Sequence, residues 1–234
     1  MNNYNVAVRN DLARASYTLS ITEKRLLLCF ISIIPPKVKI ESTTIQRLDI
    51  RRYASLFNVE PKHALAEIKK ALITLPERMI YIKQEDSEIK AINWISKEVV
   101  LIDDGYTLGI KWYHGVIPYI SLLARNFVSF KLDEVKNLRS YNALRLYEFI
   151  SCELGAQSNV KRKEAPYIAI EDIRFMLAIG ENKHLATSNL INSIIKPAIQ
   201  AINRDTPMIV DMELYKRGKK VIGFWFKVPL IPNN

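Results

Sequence analysis

The sequence is short of the residues from which catalytic and metal centres are usually built. It has 2 cysteines, Cys29 and Cys152. Each lies inside an apolar run of helical character, so both read as buried thiols and not as a disulfide or a zinc site. The 3 histidines, His63, His114 and His184, are scattered with no local metal spacing, and neither metal nor cofactor is expected. Glycine is scarce at 7 residues and no low-complexity tract occurs, which argues against a long disordered tail. No stretch has the glycine-rich loop ending in Gly-Lys-Ser/Thr that cradles phosphates; Gly218-Lys219-Lys220 lacks both the hydroxyl and the earlier glycine. The longest apolar run, 26–34, falls far short of the ~20 residues that span a bilayer. No charged-then-apolar signal pattern opens the chain. Asp103-Asp104 reads as a turn sooner than as a metal pair. A cytoplasmic protein without catalytic machinery is the expectation. A tyrosine nucleophile stays open among the 11 tyrosines, although most fall in core patterns.

What is present is apolar bulk and positive charge. Hydrophobic residues make up 49%, so a real core can be buried, and 234 residues suit one large domain or two. The net charge is +10. Up to Ala124 there are 17 basic and 13 acidic residues, and after it 17 and 11, so both parts are basic and one long polyanion can lie across both. Excess charge also serves solubility alone, so its placement decides what it means.

Ser20-Ile21-Thr22-Glu23 has the form of a capping box. It opens a helix that is apolar nearly all round over 26–34, as in the middle of a domain, and Pro35-Pro36 stops it. A β-like piece over 45–50 precedes a short helix over 51–57 and a turn over 58–61. Pro61 then starts a second helix that buries Ala64, Leu65, Ile68, Leu72 and Leu75. Strands are predicted over 79–83, 91–102 and 106–112, with Asp104-Gly105 as the tight turn between the last two. The stretch 115–125 reads as a helix and then a hinge. After it the order repeats. Ser140 caps a helix that buries Tyr141, Leu144, Tyr147, Ile150 and Leu154, followed by an exposed loop over 155–165 and a short strand over 167–170. A helix over 170–179 ended by Gly180, a turn over 181–187, a helix over 188–204 and strands over 208–215 and 221–228 complete it. Pro197 sits inside the 188–204 pattern and predicts a kink or a restarted helix there. The fold class expected is α+β, with two tandem winged helix-turn-helix domains over residues 1–124 and 125–234.

The 188–204 helix is two-faced. Leu190, Ile194, Ala198 and Ile202 stack with Ile191, Ile195 and Ile199 beside them, opposite Asn189, Asn192, Ser193, Lys196, Gln200 and Asn203. Such a pattern by itself shows only a half-buried helix. Asparagine and lysine are also the residues that read adenine and guanine in the major groove, and a recognition helix reaches furthest with its leading residues. Lys183, His184, Thr187, Ser188, Asn189, Asn192, Ser193 and Lys196 are therefore the candidates. The turn Lys216-Arg217-Gly218-Lys219-Lys220 strengthens that reading. Four cations on one tight turn repel each other unless something anionic faces them. Protection of a sheet edge explains one or two lysines better than four cations. Such a tip suits phosphates. Lys161-Arg162-Lys163 fits a phosphate contact and a solvated loop equally. In the first domain Lys62, His63, Lys69, Lys70 and Arg78 are the corresponding candidates. The loop 84–90 carries Glu85, Asp86 and Glu88, so the first wing tip reads as acidic, suited to weaker DNA binding or to a protein contact.

The residues 10–15, Asn-Asp-Leu-Ala-Arg-Ala, followed by 19–26, Leu-Ser-Ile-Thr-Glu-Lys-Arg-Leu, resemble the opening of iteron-binding plasmid replication initiators of the RepE and π type. Residues 195–203 resemble that family's second recognition helix and residues 216–226 its closing hairpin, so the similarity runs in order over nearly the whole chain. The resemblance implies two winged-helix domains that bind opposite ends of a short direct repeat in double-stranded origin DNA. It implies that monomers start replication, while dimers, formed mainly through the first domain, repress the initiator's own promoter at an inverted repeat. It also implies no catalysis, recruitment of host initiator and helicase, and chaperones that help monomerisation. The paired-histidine motif of strand-nicking replication enzymes is missing. A dedicated transcriptional repressor with the same modules and no replication role is the alternative.

Overall fold

Residues 5–35, 37–86, 88–101, 105–156, 166–179 and 186–228 are described by a computed structural model. The chain divides into two units, Met1–Lys136 and Asn137–Asn234. The first opens with β1 (Asn5–Arg9), α1 (Asn10–Arg14) and α2 (Ile21–Ser32). The capping box is formed: the Ser20 hydroxyl accepts from the Glu23 N–H at 3.1 Å, and the Glu23 carboxylate accepts from the Ser20 N–H at 2.6 Å. Leu26, Leu27, Leu28, Cys29, Phe30 and Ile31 are all buried, which makes α2 the centre of the unit. Around it come β2 (Ile45–Asp49), α3 (Ile50–Phe57) and α4 (Pro61–Thr74). Asn58 turns the chain between the two helices at φ 51, a left-handed conformation that asparagine tolerates. Leu65 is half-buried, because Ala64, Ile68, Ala71 and Leu72 carry the inward line of α4.

The strand expected over 91–102 is two strands in two sheets. β3 (Met79–Lys83) and β4 (Ile89–Asn93) form a hairpin of their own, whereas β5 (Ile95–Leu101) and β6 (Thr107–Trp112) join β2 in the order β2-β6-β5. Trp94 makes the break. Its ring is buried edge-on to Tyr17 with centroids 5.0 Å apart, and its carbonyl accepts from the Tyr113 N–H at 3.2 Å. Glu85, Asp86 and Glu88 therefore belong to the tip of an inserted hairpin and not to the β5–β6 wing. Asp103 and Asp104 lie outside the described residues.

The stretch read as a hinge leads back into the first unit. After α5 (Ile117–Ile120), β7 (Phe127–Lys131) pairs antiparallel with β1 from Asn5↔Lys131 to Arg9↔Phe127, and α6 (Leu132–Val135) follows. A division after Ala124 would tear β7 from β1, so the units part after Lys136.

The second unit contains α7 (Tyr141–Ala156), β8 (Tyr167–Ala169), α8 (Ile170–Met176) and α9 (Thr187–Leu190). A π-helical turn (Ile191–Ile195), α10 (Lys196–Asp205), β9 (Asp211–Arg217) and β10 (Lys220–Lys227) complete it. The Ser140 hydroxyl accepts from the Ala143 N–H at 3.4 Å and caps α7. That helix is buried further round than its periodicity predicts. Arg145 and Glu148 form an ion pair within the core, while Tyr141 and Leu154 are only half-buried. Helix α8 stops earlier than expected, with Ala178 in the left-handed region at φ 53; Gly180 lies outside the described residues. The sheet order is β8-β10-β9. In both units a helix, a strand, two helices and a hairpin follow one another, and the first strand of the sheet pairs with the last. That is a winged helix-turn-helix built twice. No helix among the described residues is long and apolar enough to cross a membrane.

Candidate nucleic-acid interface

In the second unit the helix α9–π turn–α10 turns Leu190, Ile191, Ile195, Ala198, Ile199 and Ile202 inward. Ser188, Asn189, Asn192, Ser193 and Lys196 are exposed, as the sequence predicts, and Thr187 is half-buried. Lys183, His184 and the cluster 161–163 lie outside the described residues. Asn203 has a different role from the one its face suggests. Its side-chain amide donates to the Val210 carbonyl at 2.9 Å, and its amide oxygen accepts from the Val210 N–H at 2.7 Å. It thereby clamps the end of α10 to the segment that enters β9.

The wing is a regular antiparallel hairpin, with Lys220 opposite Arg217 and Gly218 at φ +62 in the two-residue turn. Only a residue tolerant of the left-handed region fits there. Lys216, Arg217, Lys219 and Lys220 are all exposed, and none of them has an acidic partner among the described residues. At the base of the same hairpin the arrangement differs: Lys227 reaches Glu213 at 2.6 Å. Positive charge is thus neutralised where the wing joins the unit and left open at its tip. The solvent face of the sheet is covered by Tyr167, Tyr215 and Trp225, whose ring centroids lie 5.2 to 6.2 Å apart. Tyr167 lies over Gly223, where an added Cβ would come within 2.5 Å of the ring, and its hydroxyl donates to the Ile222 carbonyl at 3.3 Å. A shift in register between Val221 and Gly223 adds a bulge to β10, which twists the wing.

In the first unit Lys62, His63, Lys69 and Lys70 are exposed along α4, and His63 lies 3.5 Å from Glu60. Ala66 is exposed on that surface too, and Ile73 is 77% exposed. Sequence periodicity passes over such residues because it assigns apolar side chains to the core; their signal is that they fall off the 64–68–71–72 line. Arg78 is not part of this surface. Its guanidinium donates to the fully buried Glu23 carboxylate at 2.9 Å, and the Thr74 hydroxyl donates to the same oxygen at 2.6 Å. Burial alone would raise the Glu23 carboxyl, but the bonds from Arg78, Thr74 and the Ser20 N–H outweigh it and hold the group below the ordinary carboxylate range. Arg78 is thus committed to the join between α2, α4 and β3.

The two units also match by family. Residues 5–151 match the WH1 domain of initiator replication proteins, and residues 169–228 match the WH2 domain of initiator Rep proteins. The chain belongs to the initiator replication protein family. An Escherichia coli protein named replication initiation protein is 23% identical over 223 residues, covering 94% of this chain and 68% of that protein. A second Escherichia coli protein, an uncharacterized 27.6 kDa protein, is 25% identical over 221 residues, covering 90% and 89%. Among solved structures, the Pi initiator protein in complex with iteron DNA aligns over 100% of both chains with a TM-score of 0.80 at 20% identity, a likeness of fold.

Proposed function

We propose that this family member is a plasmid replication initiator that binds direct repeats (iterons) in duplex origin DNA as a monomer. In this reading it recruits the host initiator and helicase, and as a dimer, with chaperones assisting its return to monomer, it represses its own promoter. It works in the cytoplasm and breaks no bond in the DNA. The observation that carries the proposal is the four-cation wing tip without an acidic partner among the described residues, standing in one unit with a helix whose exposed face is asparagine, serine and lysine. The wing supplies contacts with phosphate and the helix supplies contacts with base edges. The likeness to an iteron-bound initiator over the whole chain supports the choice of DNA site.

A nuclease footprint on the DNA flanking the gene tests this directly, with protection of tandem repeats expected. K219A/K220A lowers affinity for every duplex by roughly tenfold at moderate salt and flattens the slope of log K against log salt by about 2, the loss of two phosphate contacts. N192A leaves the slope alone and reduces discrimination between sequences. A wing variant that binds as tightly as its parent at every salt concentration refutes the phosphate role. Plasmid maintenance separates initiation from simple repression. Supercoiled origin DNA incubated with protein and Mg²⁺ stays unnicked.

A further inference from the structure

The helix that presents the exposed asparagines cannot be one straight α-helix. In a straight helix, residues seven apart lie within about 20° of one line. Ser188, Ile195 and Ile202 form such a series, and Ile195 and Ile202 are buried at 1% and 0% exposure. Ser188 would therefore face the core. Leu190, five residues before Ile195, would stand roughly 140° away from it at ~100° per residue, on the solvent side. The structure has the reverse: Leu190 is fully buried and Ser188 is exposed. The π turn makes the difference. The Lys196 N–H donates to the carbonyl of Ile191, five residues back, so an additional residue is wound into that turn and the leading residues are rotated relative to α10. The cause stands beside it. Pro197 has no N–H to offer the Ser193 carbonyl, and in an α-helix its ring would crowd that carbonyl. A wider turn ending at Ile195 gives the ring room.

We propose that Pro197 is a positioning residue for DNA reading. It maintains the π turn, and the π turn rotates Leu190 inward and Ser188 outward and changes the direction in which Asn189 points, so that proline decides which side chains meet base edges. This rests on the reading above that the helix enters a groove. In P197A the restored N–H bonds the Ser193 carbonyl, the helix straightens, and its leading residues turn away from their present direction.

Two experiments on the full chain test it. The first compares P197A with the unsubstituted protein on a duplex that the latter selects from a randomised pool, and on a shuffled duplex of the same composition. P197A binds the shuffled duplex as its parent does, because the wing is untouched, and loses roughly tenfold or more of its preference for the selected one. An unchanged preference overturns the proposal. The second needs no DNA. S188L/L190S lowers the melting temperature while Pro197 is present, and raises or preserves it in P197A, where residue 188 faces inward. The same sign in both backgrounds overturns the proposal. A P197A protein that fails to fold but is rescued by S188L/L190S supports it, and one that is not rescued overturns it. If the unsubstituted protein selects no sequence, the proposed function fails, while the melting comparison still decides the role of Pro197.

Discussion

Glu23 shows how one buried side chain can tie three elements together. It caps α2 through Ser20, accepts from Thr74 at the end of α4 and holds Arg78 at the entry to β3. Because its folded pKa is lowered, its stabilisation is fully present above the ordinary carboxylate range and is lost as pH falls through the folded value. Denaturant unfolding of the first unit therefore shows a loss of stability on acidification below about pH 4 that E23Q lacks. E23A costs about 2 kcal/mol at neutral pH, the cap and charged hydrogen bonds together, with the Arg78 share reduced because that guanidinium is partly solvated. Cys29 is the opposite case. Burial in α2 pushes its thiol up to about 12, so it carries no thiolate at neutral pH. A chromogenic disulfide reagent at mildly alkaline pH leaves it unmodified until denaturant opens the unit. Rapid modification of Cys29 in a native C152S variant would show that α2 is not the central helix. Cap and buried thiol were both legible in the sequence, since each depends on neighbours a few residues away. Arg78 was not, because its partner is 55 positions distant.

At the scale of elements, periodicity located nearly every helix but not its phase or its ends. The 188–204 pattern was clear, yet Pro197 produces a π turn that no counting of apolar spacings supplies. The polar stripe likewise suggested an outward Asn203, whereas the structure spends it on the Val210 backbone. Removing that amide leaves an N–H and a carbonyl of a buried residue without their partners. N203A thus costs about 2 kcal/mol of unfolding free energy by denaturant titration. It also weakens DNA binding by loosening the wing from the helix. If N203A unfolds like the parent, the clamp is redundant. The 91–102 strand shows the same limit. No glycine or proline interrupts it, and the contacts that fix Trp94 where one sheet gives way to the other, with the Tyr17 ring and the Tyr113 backbone, are both distant in sequence.

For the whole molecule, the repeat of helix, strand, two helices and hairpin was readable because turn and capping signals recur in order in each half. The insertion of β3–β4 and the return of β7 to β1 were not, since pairing between strands far apart in sequence leaves no local signature. Charge was readable in amount but only partly in use: the tip of β9–β10 stays open, while Arg78 is committed to the buried Glu23 carboxylate.

The pairing of β1 with β7 also orders events in time. A chain emerging from the ribosome presents Asn5–Arg9 first, with its partner still unmade, and the strand stays without its ladder until Phe127–Lys131 follows. The first unit can close only once nearly all of it has been made. A fragment truncated at residue 124 should accordingly be captured by proteases and chaperones, whereas one ending at residue 136 resists digestion; equal resistance of the two would show that closure does not wait for its last strand.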